Sequence, residues 1–146
     1  MNINYIWKDD QPVNEIDMIS NPINENMLLQ LEKSINSSVF FNAINPKNNR
    51  MTVVELSKIE AIESLGHLSK LILYDGSELL LKKILKELNH LEHFDFFRIN
   101  NSTILNLLHI DSFGSGSHAR LEIFTKNNHK YMVSRHYAKK IKERLL

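Results

Sequence analysis

Apolar residues recur at helical spacing near the two ends of the 146-residue chain and at alternating, strand-like spacing between them. The first twenty residues are polar and acidic with scattered apolar positions, and Asn21-Pro22 predicts a break before a helix. Between Asn24 and Asn36, Met27, Leu28, Leu31 and Ile35 fall on one helical face with Glu25, Glu32 and Lys33 on the other, which predicts an amphipathic helix. From Ser38 to Ile44 the pattern is β-like. The cluster Asn45-Pro46-Lys47-Asn48-Asn49 favours turns and predicts a boundary between an N-terminal extension, residues 1–45, and a second unit, residues 46–146.

In that second unit the alternation predicts short strands at Met51 to Leu56 and Ile59 to Ser64. Leu68 to Tyr74 pairs with Ser77 to Lys82 across Asp75-Gly76, where glycine supplies the positive φ of a tight turn. Ile84 to Leu91 predicts a short helix with Ile84, Leu85, Leu88 and Leu91 inward. A polar corner at Asn100-Asn101-Ser102 follows Phe96-Phe97, then a strand or helical turn from Thr103 to Ile110 and a flexible Gly114-Ser115-Gly116-Ser117 loop. A second hairpin joins Arg120 to Phe124 with Tyr131 to Val133, turning at residues 126–129. Ser134 is placed to cap a last helix with Tyr137, Ile141 and Leu145 on one face.

Composition narrows the class. With 42% hydrophobic residues, four glycines and three prolines, the chain has the make-up of a globular domain rather than a disordered tail. There is no cysteine, so disulfides, thiolate catalysis and zinc sites built on Cys are excluded. Apolar runs such as Leu79-Leu80-Leu81 are far shorter than the roughly 20 residues of a membrane helix, and Met1-Asn2-Ile3-Asn4 has no basic start or apolar core of a signal peptide. The expectation is a cytoplasmic protein with no membrane insertion.

The net charge of +1 conceals an uneven distribution. Residues 1–45 hold two lysines against six acids, a balance of −4, and residues 46–146 hold sixteen bases against eleven acids, a balance of +5. From His118 onward there are eight bases and two acids. That local excess points to a polyanion, although a solvated basic helix face is the commoner cause of any single run.

Other chemistries find little support. His90 and His93 stand at an i, i+3 spacing without a third ligand in view, and the other five histidines fall singly, so capping or solvent-facing roles outweigh a metal site. Gly114-Ser115-Gly116 lacks the GxSxG spacing of a nucleophile elbow, and neither a phosphate loop nor a dinucleotide fingerprint is present. No catalytic residue and no cofactor is expected. What remains is a set of polar and basic residues at corners: Ser69-Lys70, Asn100-Asn101-Ser102 and Ser134-Arg135-His136. Arg and His can donate to guanine O6 and N7, Asn can make adenine's two bonds, and Ser, Lys and backbone N–H groups hold phosphate. Singly, each is more often a turn residue or a cap.

Taken in order, the strings IEAIES (59–64), a strand hairpin, LKEL (85–88), FFRINNSTILN (96–106) and YMVSRHYAKKIKERL (131–145) resemble the LytTR DNA-binding domain of bacterial transcriptional regulators. The last two strings look very like the family's FFRxxxSxxVN and xVSRRYxKKLKxxL patterns, and the resemblance runs from about Asn45 to Leu146. It implies a mostly β, β-rich α+β fold of elongated, stacked antiparallel sheets with short helices, whose loops enter successive major grooves of double-stranded DNA. The family's base-reading positions would fall on Ser69, Asn101 and Arg135-His136, with phosphate contacts from Lys70, Ser102, Arg120, Ser134 and Lys139. Many members carry a second Arg where this chain has His136, which links base preference there to a group titrating near neutrality. A His common in the first reading loop has its nearest counterpart in His67, two residues before Ser69, and both are candidates.

The family usually couples this domain to a phosphorylated receiver, which forty-five residues cannot supply. The chain therefore resembles stand-alone members, and its extension is expected to make a homodimer or partner contact. The rival reading is a protein-interaction module that keeps the fold, binds no DNA and antagonises or partners another regulator.

Overall fold

The computed structural model describes residues 1–13, 15–37 and 39–146. Ser38, expected to open the first strand, lies outside them. Among the described residues, α1 (Glu25–Ser37) precedes β1 (Phe40–Asn45), β2 (Arg50–Glu55), β3 (Ile59–Leu65), β4 (Leu68–Leu73) and β5 (Glu78–Leu81). A 3-10 helix (Leu85–Phe94) leads to β6 (Phe96–Asn100), β7 (Thr103–Asn106), β8 (Ile110–Ser115), β9 (Leu121–Thr125), β10 (Lys130–Val133) and α2 (Arg135–Leu145). One sheet runs in the order β2-β1-β5-β4-β3-β7-β6 and a second in the order β10-β9-β8, with every pairing antiparallel. The mostly β architecture read from the sequence is the one observed.

Burial explains the patterns. β4 alternates half-buried and buried positions along LSKLIL, as a strand with one face on a core does. β3 is buried continuously from Ile59 to Ile62 because it has a core on each side. Ile59 and Ile62 join one cluster with Leu71, Leu81 and Phe96, and Ala61 joins the other with Ile99, Ile123 and Ile141. The segment expected as an α-helix from Ile84 is instead 3-10 over Leu85–Phe94. Its buried residues, Leu85, Leu88 and Leu91, recur every third position, which is the period of the tighter helix.

Three local expectations change. Asn45 to Asn49 is the turn of the β1–β2 hairpin, with the Asn49 N–H on the Asn45 carbonyl at 2.8 Å, so residues 40–45 pair within the large sheet. Thr103 to Ile110 divides into β7, a 3-10 turn at Leu107–His109 and the start of β8. Gly114 and Ser115, expected in a loop, pair with Glu122 and Leu121 as the end of β8.

The two sheets are tied by a buried carboxylate. Glu60 on β3 is fully buried; its Oε2 lies 2.6 Å from His129 Nδ1 and accepts from the Tyr131 hydroxyl at 3.0 Å. The other oxygen, Oε1, has no hydrogen-bond partner among the described residues. Burial pushes the Glu60 carboxyl up, but contacts with His129, Thr125 and Tyr131 and the His129 charge outweigh it and hold the group below its ordinary value. Burial beside that carboxylate drives the Tyr131 phenol well upward.

α1 is the least integrated element. Met27, Leu31 and Ile35 remain 40%, 48% and 40% exposed, and Leu28 is half-buried. The apolar stripe is present as expected, and part of its surface, at Met27 and Leu31 above all, stays exposed.

Candidate nucleic-acid interface

Strand register gathers the expected corners at one end of the sheets. The β3–β4 hairpin closes through Gly66, at φ +61°, and exposed His67. Glycine at the first central position is what a two-residue turn of this kind needs. Glu63 on β3 pairs with Thr103 on β7, and the Ser64 N–H donates to the Ser102 carbonyl at 2.8 Å, so the Asn100-Asn101-Ser102 corner lies beside the His67 turn. The Ser134 N–H donates to the Ile99 carbonyl at 2.8 Å, which sets the start of α2 against the same corner. Leu121 pairs with Val133, so Arg120 lies across the ladder from Ser134. Lys139 follows Arg135 by four residues and so shares its face of α2.

Asn101, Ser102, Arg120, Arg135, His136 and Lys139 are exposed, and Ser134 is half-buried. Ser134 stands at the N-cap with extended φ/ψ, but its side chain makes no capping bond; its carbonyl accepts from Tyr137 and Ala138 at 3.0 Å each. The ring of His136 meets Tyr137 edge-on at 4.7 Å between centroids. The Ser102 hydroxyl donates to Asn100 Oδ1 at 3.0 Å.

Two expected residues are placed differently. Ser69 has no exposed surface, and its hydroxyl donates to the Lys83 carbonyl at 2.6 Å, which makes it a tie between β4 and the end of β5. Of the pair weighed for the first loop, His67 is the one that faces outward. Lys70 is held between Glu63 at 3.3 Å and Glu78 at 3.6 Å. Partial burial pulls its ammonium down, but the two carboxylates more than offset this and keep it charged, so its charge is satisfied within the sheet.

The basic excess also divides. Lys130 pairs with Glu122 at 3.1 Å, Lys140 with Glu92 at 2.6 Å and Arg144 with Asp95 at 2.5 Å. Lys140 and Arg144 further lie 5.7 and 6.0 Å from the Phe97 ring centroid, latching α2 onto β6 and the 3-10 helix. Among the described residues, Arg120, Lys126, Arg135, Lys139 and Lys142 have no acid within the 4.0 Å of an ion pair. Sequence reasoning missed Lys82 and Lys83: both are exposed, and the Ser69–Leu81 pairing brings them beside the His67 turn. Their signal was a dibasic pair directly after an apolar strand. No grouping of three or more His, Asp or Glu side chains suited to a metal ion occurs among the described residues.

Adjoining loops that carry amide, hydroxyl, imidazole and guanidinium groups, rimmed by uncompensated cations, outline a β-scaffolded DNA-binding domain. The model of the LytTr DNA-binding domain matches residues 49–146, and the chain belongs to that family. Among solved structures, the LytTr DNA-binding domain of a methyl-accepting/DNA response regulator from Bacillus cereus is similar in fold. It superposes with a TM-score of 0.62 at 20% identity, over 72% of this chain and 97% of that one. No match was found among curated proteins.

Proposed function

We propose that the protein is a sequence-specific transcriptional regulator that reads the major groove of double-stranded DNA through the His67, Asn101 and Arg135-His136 loops. The observation that carries this is the convergence of three sequence-distant corners on one row, next to Arg120, Arg135 and Lys139, which have no acidic partner among the described residues. Asn101 and Arg135 take base edges, since amide and guanidinium groups make the paired bonds that adenine and guanine offer. Ser102, Arg120, Ser134 and Lys139 take phosphates, joined by Lys82 and Lys83. No step of the proposal needs a cofactor or a reaction.

Residues 1–37 form a separate acidic extension in this reading, and we propose that it serves self-association. Its charge would be repelled by phosphate, and Met27 and Leu31 keep 40% and 48% of their surface exposed. The protein is then a homodimer that acts in the cytoplasm; no helix among the described residues is long and apolar enough to cross a membrane.

A binding selection on random duplexes at several salt concentrations tests the DNA reading. Neutralising about five phosphates gives a slope of log K against log salt near −4 to −5, with an enriched motif. A slope near zero, or binding without any enriched motif, refutes sequence-specific DNA binding. Sedimentation of the full chain and of Leu31→Glu tests the extension: a wild-type chain that stays monomeric at tens of micromolar removes the dimer.

A further inference from the structure

Asn100 sits between the two proposed base-reading elements without presenting its own amide to the groove. Its Oδ1 accepts from the Ser102 N–H at 2.9 Å and from the Ser102 hydroxyl at 3.0 Å. Its Nδ2 donates to the Met132 carbonyl on β10 at 3.3 Å. The carboxamide has only one orientation that serves all three partners, because two are donors and the third is a carbonyl. Both lone pairs and one of the two N–H bonds are therefore committed inside the protein.

The backbone around it is braced as well. Arg98 Nε donates to the Asn100 carbonyl at 2.9 Å, and its Nη2 reaches the Asn101 carbonyl. The planar guanidinium thus fixes two successive carbonyls of the corner that displays Asn101. On the far side, Met132 is two residues before Ser134, where α2 begins to display Arg135 and His136. Two hydrogen bonds join the corner to this segment, the main-chain bond from Ser134 to Ile99 and the one from the Asn100 side chain to Met132.

We propose that Asn100 is a positioning residue that fixes the offset between Asn101 and Arg135, so that the two side chains read neighbouring bases as one unit. The inference rests on the DNA-binding reading above. A base-edge contact depends on placement to within a fraction of an ångström, so a loosened corner loses the directional bonds while phosphate attraction, which is long-range, persists. Arg98 stiffens the same corner from its other side, and the two act on one geometry.

Asn100→Ser is the informative variant. A serine can keep the short local turn bond to Ser102 but cannot span to Met132, and it adds no charge. On the free protein, hydrogen exchange is expected to quicken in residues 131–136 as well as in 100–103, with the melting temperature within a few degrees of wild type. Quickening confined to 100–103 overturns the proposal whether or not the protein binds DNA.

On DNA, the variant is expected to bind the selected site about 5–20-fold more weakly, the loss of a base contact in part. Binding to random duplex and the salt slope stay unchanged. Preference relaxes at the base positions of both Asn101 and Arg135, and Arg135→Ala costs several-fold less in the Asn100→Ser background than in wild type. Equal losses on selected and random DNA, or full additivity with Arg135→Ala, overturn the positioning role. Wild-type chain that selects no motif defeats the DNA reading instead, and the exchange experiment still decides the mechanical link.

Discussion

His129 is 46% exposed at its side chain and sits in a hairpin turn, the kind of position where replacement by alanine usually changes stability by less than about 0.5 kcal/mol. Here a larger cost is expected, because the imidazole is the nearest partner of the fully buried Glu60 carboxylate at 2.6 Å. His129→Ala leaves that carboxylate with the Tyr131 hydroxyl, the contact with Thr125 and an Oε1 without a hydrogen-bond partner among the described residues. Breaking a buried pair costs about 3–5 kcal/mol when both members are sequestered. Solvent access on the His129 side lowers the figure to about 2–3 kcal/mol, in line with an unsatisfied buried charged acceptor. For a chain of this size that is a fall in melting temperature of about 5–10 °C.

The pH dependence has a definite sign. In the wild type the Glu60 carboxyl is held below its ordinary value, so the stability it confers is present above that value and is lost as pH falls through the lowered one. Without His129, burial acts with less opposition and moves the carboxyl upward. The variant then loses stability, relative to wild type, as pH rises from about 4 towards neutrality, where the unfolded chain ionises freely. Urea unfolding at constant ionic strength from pH 4 to 8 is expected to show a gap that is small at the acid end and full at pH 7. In a Glu60→Gln background the same histidine substitution is expected to cost less than about 1 kcal/mol, since the charged partner is gone. A gap under 0.5 kcal/mol at pH 7, or one that does not change with pH, refutes the reasoning.

Other outcomes follow from the placement of single side chains. Ser69→Ala is expected to cost about 1 kcal/mol of stability through its lost bond to the Lys83 carbonyl, with the selected DNA motif unchanged; relaxation at a single base would contradict its burial. Lys139→Ala is expected to weaken all duplexes alike and reduce the salt slope by about 1. Lys140→Ala is expected to leave the slope unaltered, because its charge is paired with Glu92. Asn101→Ala and Arg135→Ala are each expected to cost about 1–3 kcal/mol on the selected site and to relax one position of the motif in a binding selection.

Local periodicity was enough for most elements because each strand has a face to bury and a turn to end it. The β4–β5 hairpin was legible from Asp75-Gly76, where Gly76 takes φ +85°. The β1–β2 turn was read as a boundary since Asn-Pro-Lys-Asn-Asn punctuates a chain equally well between domains and between paired strands. Only the pairing of Asn45 with Arg50 tells the two apart, and pairing is not a local property. The 3-10 helix had its signal in leucines three apart, but with Ile84 added to the inward set the same run also fits an α-helical face.

The interface was legible to the extent that it follows residue type, and illegible where it depends on neighbours from elsewhere in the chain. Asn101, Arg135 and Lys139 are exposed as their polarity suggests. Ser69 and Lys70 have the same polarity and are withdrawn by a carbonyl fourteen residues away and by two acids on adjacent strands. Counting bases meets the same obstacle. Eight follow His118, yet Lys130, Lys140 and Arg144 are taken up by Glu122, Glu92 and Asp95, and two of those acids lie far outside the basic segment. Ion pairing with distant acids converts part of a basic tail into the clamp that holds α2 against Phe97, and that clamp orients the remaining cations. A basic run therefore divides in this fold into paired and unpaired side chains, and which base is paired is decided by the strand and helix that face it.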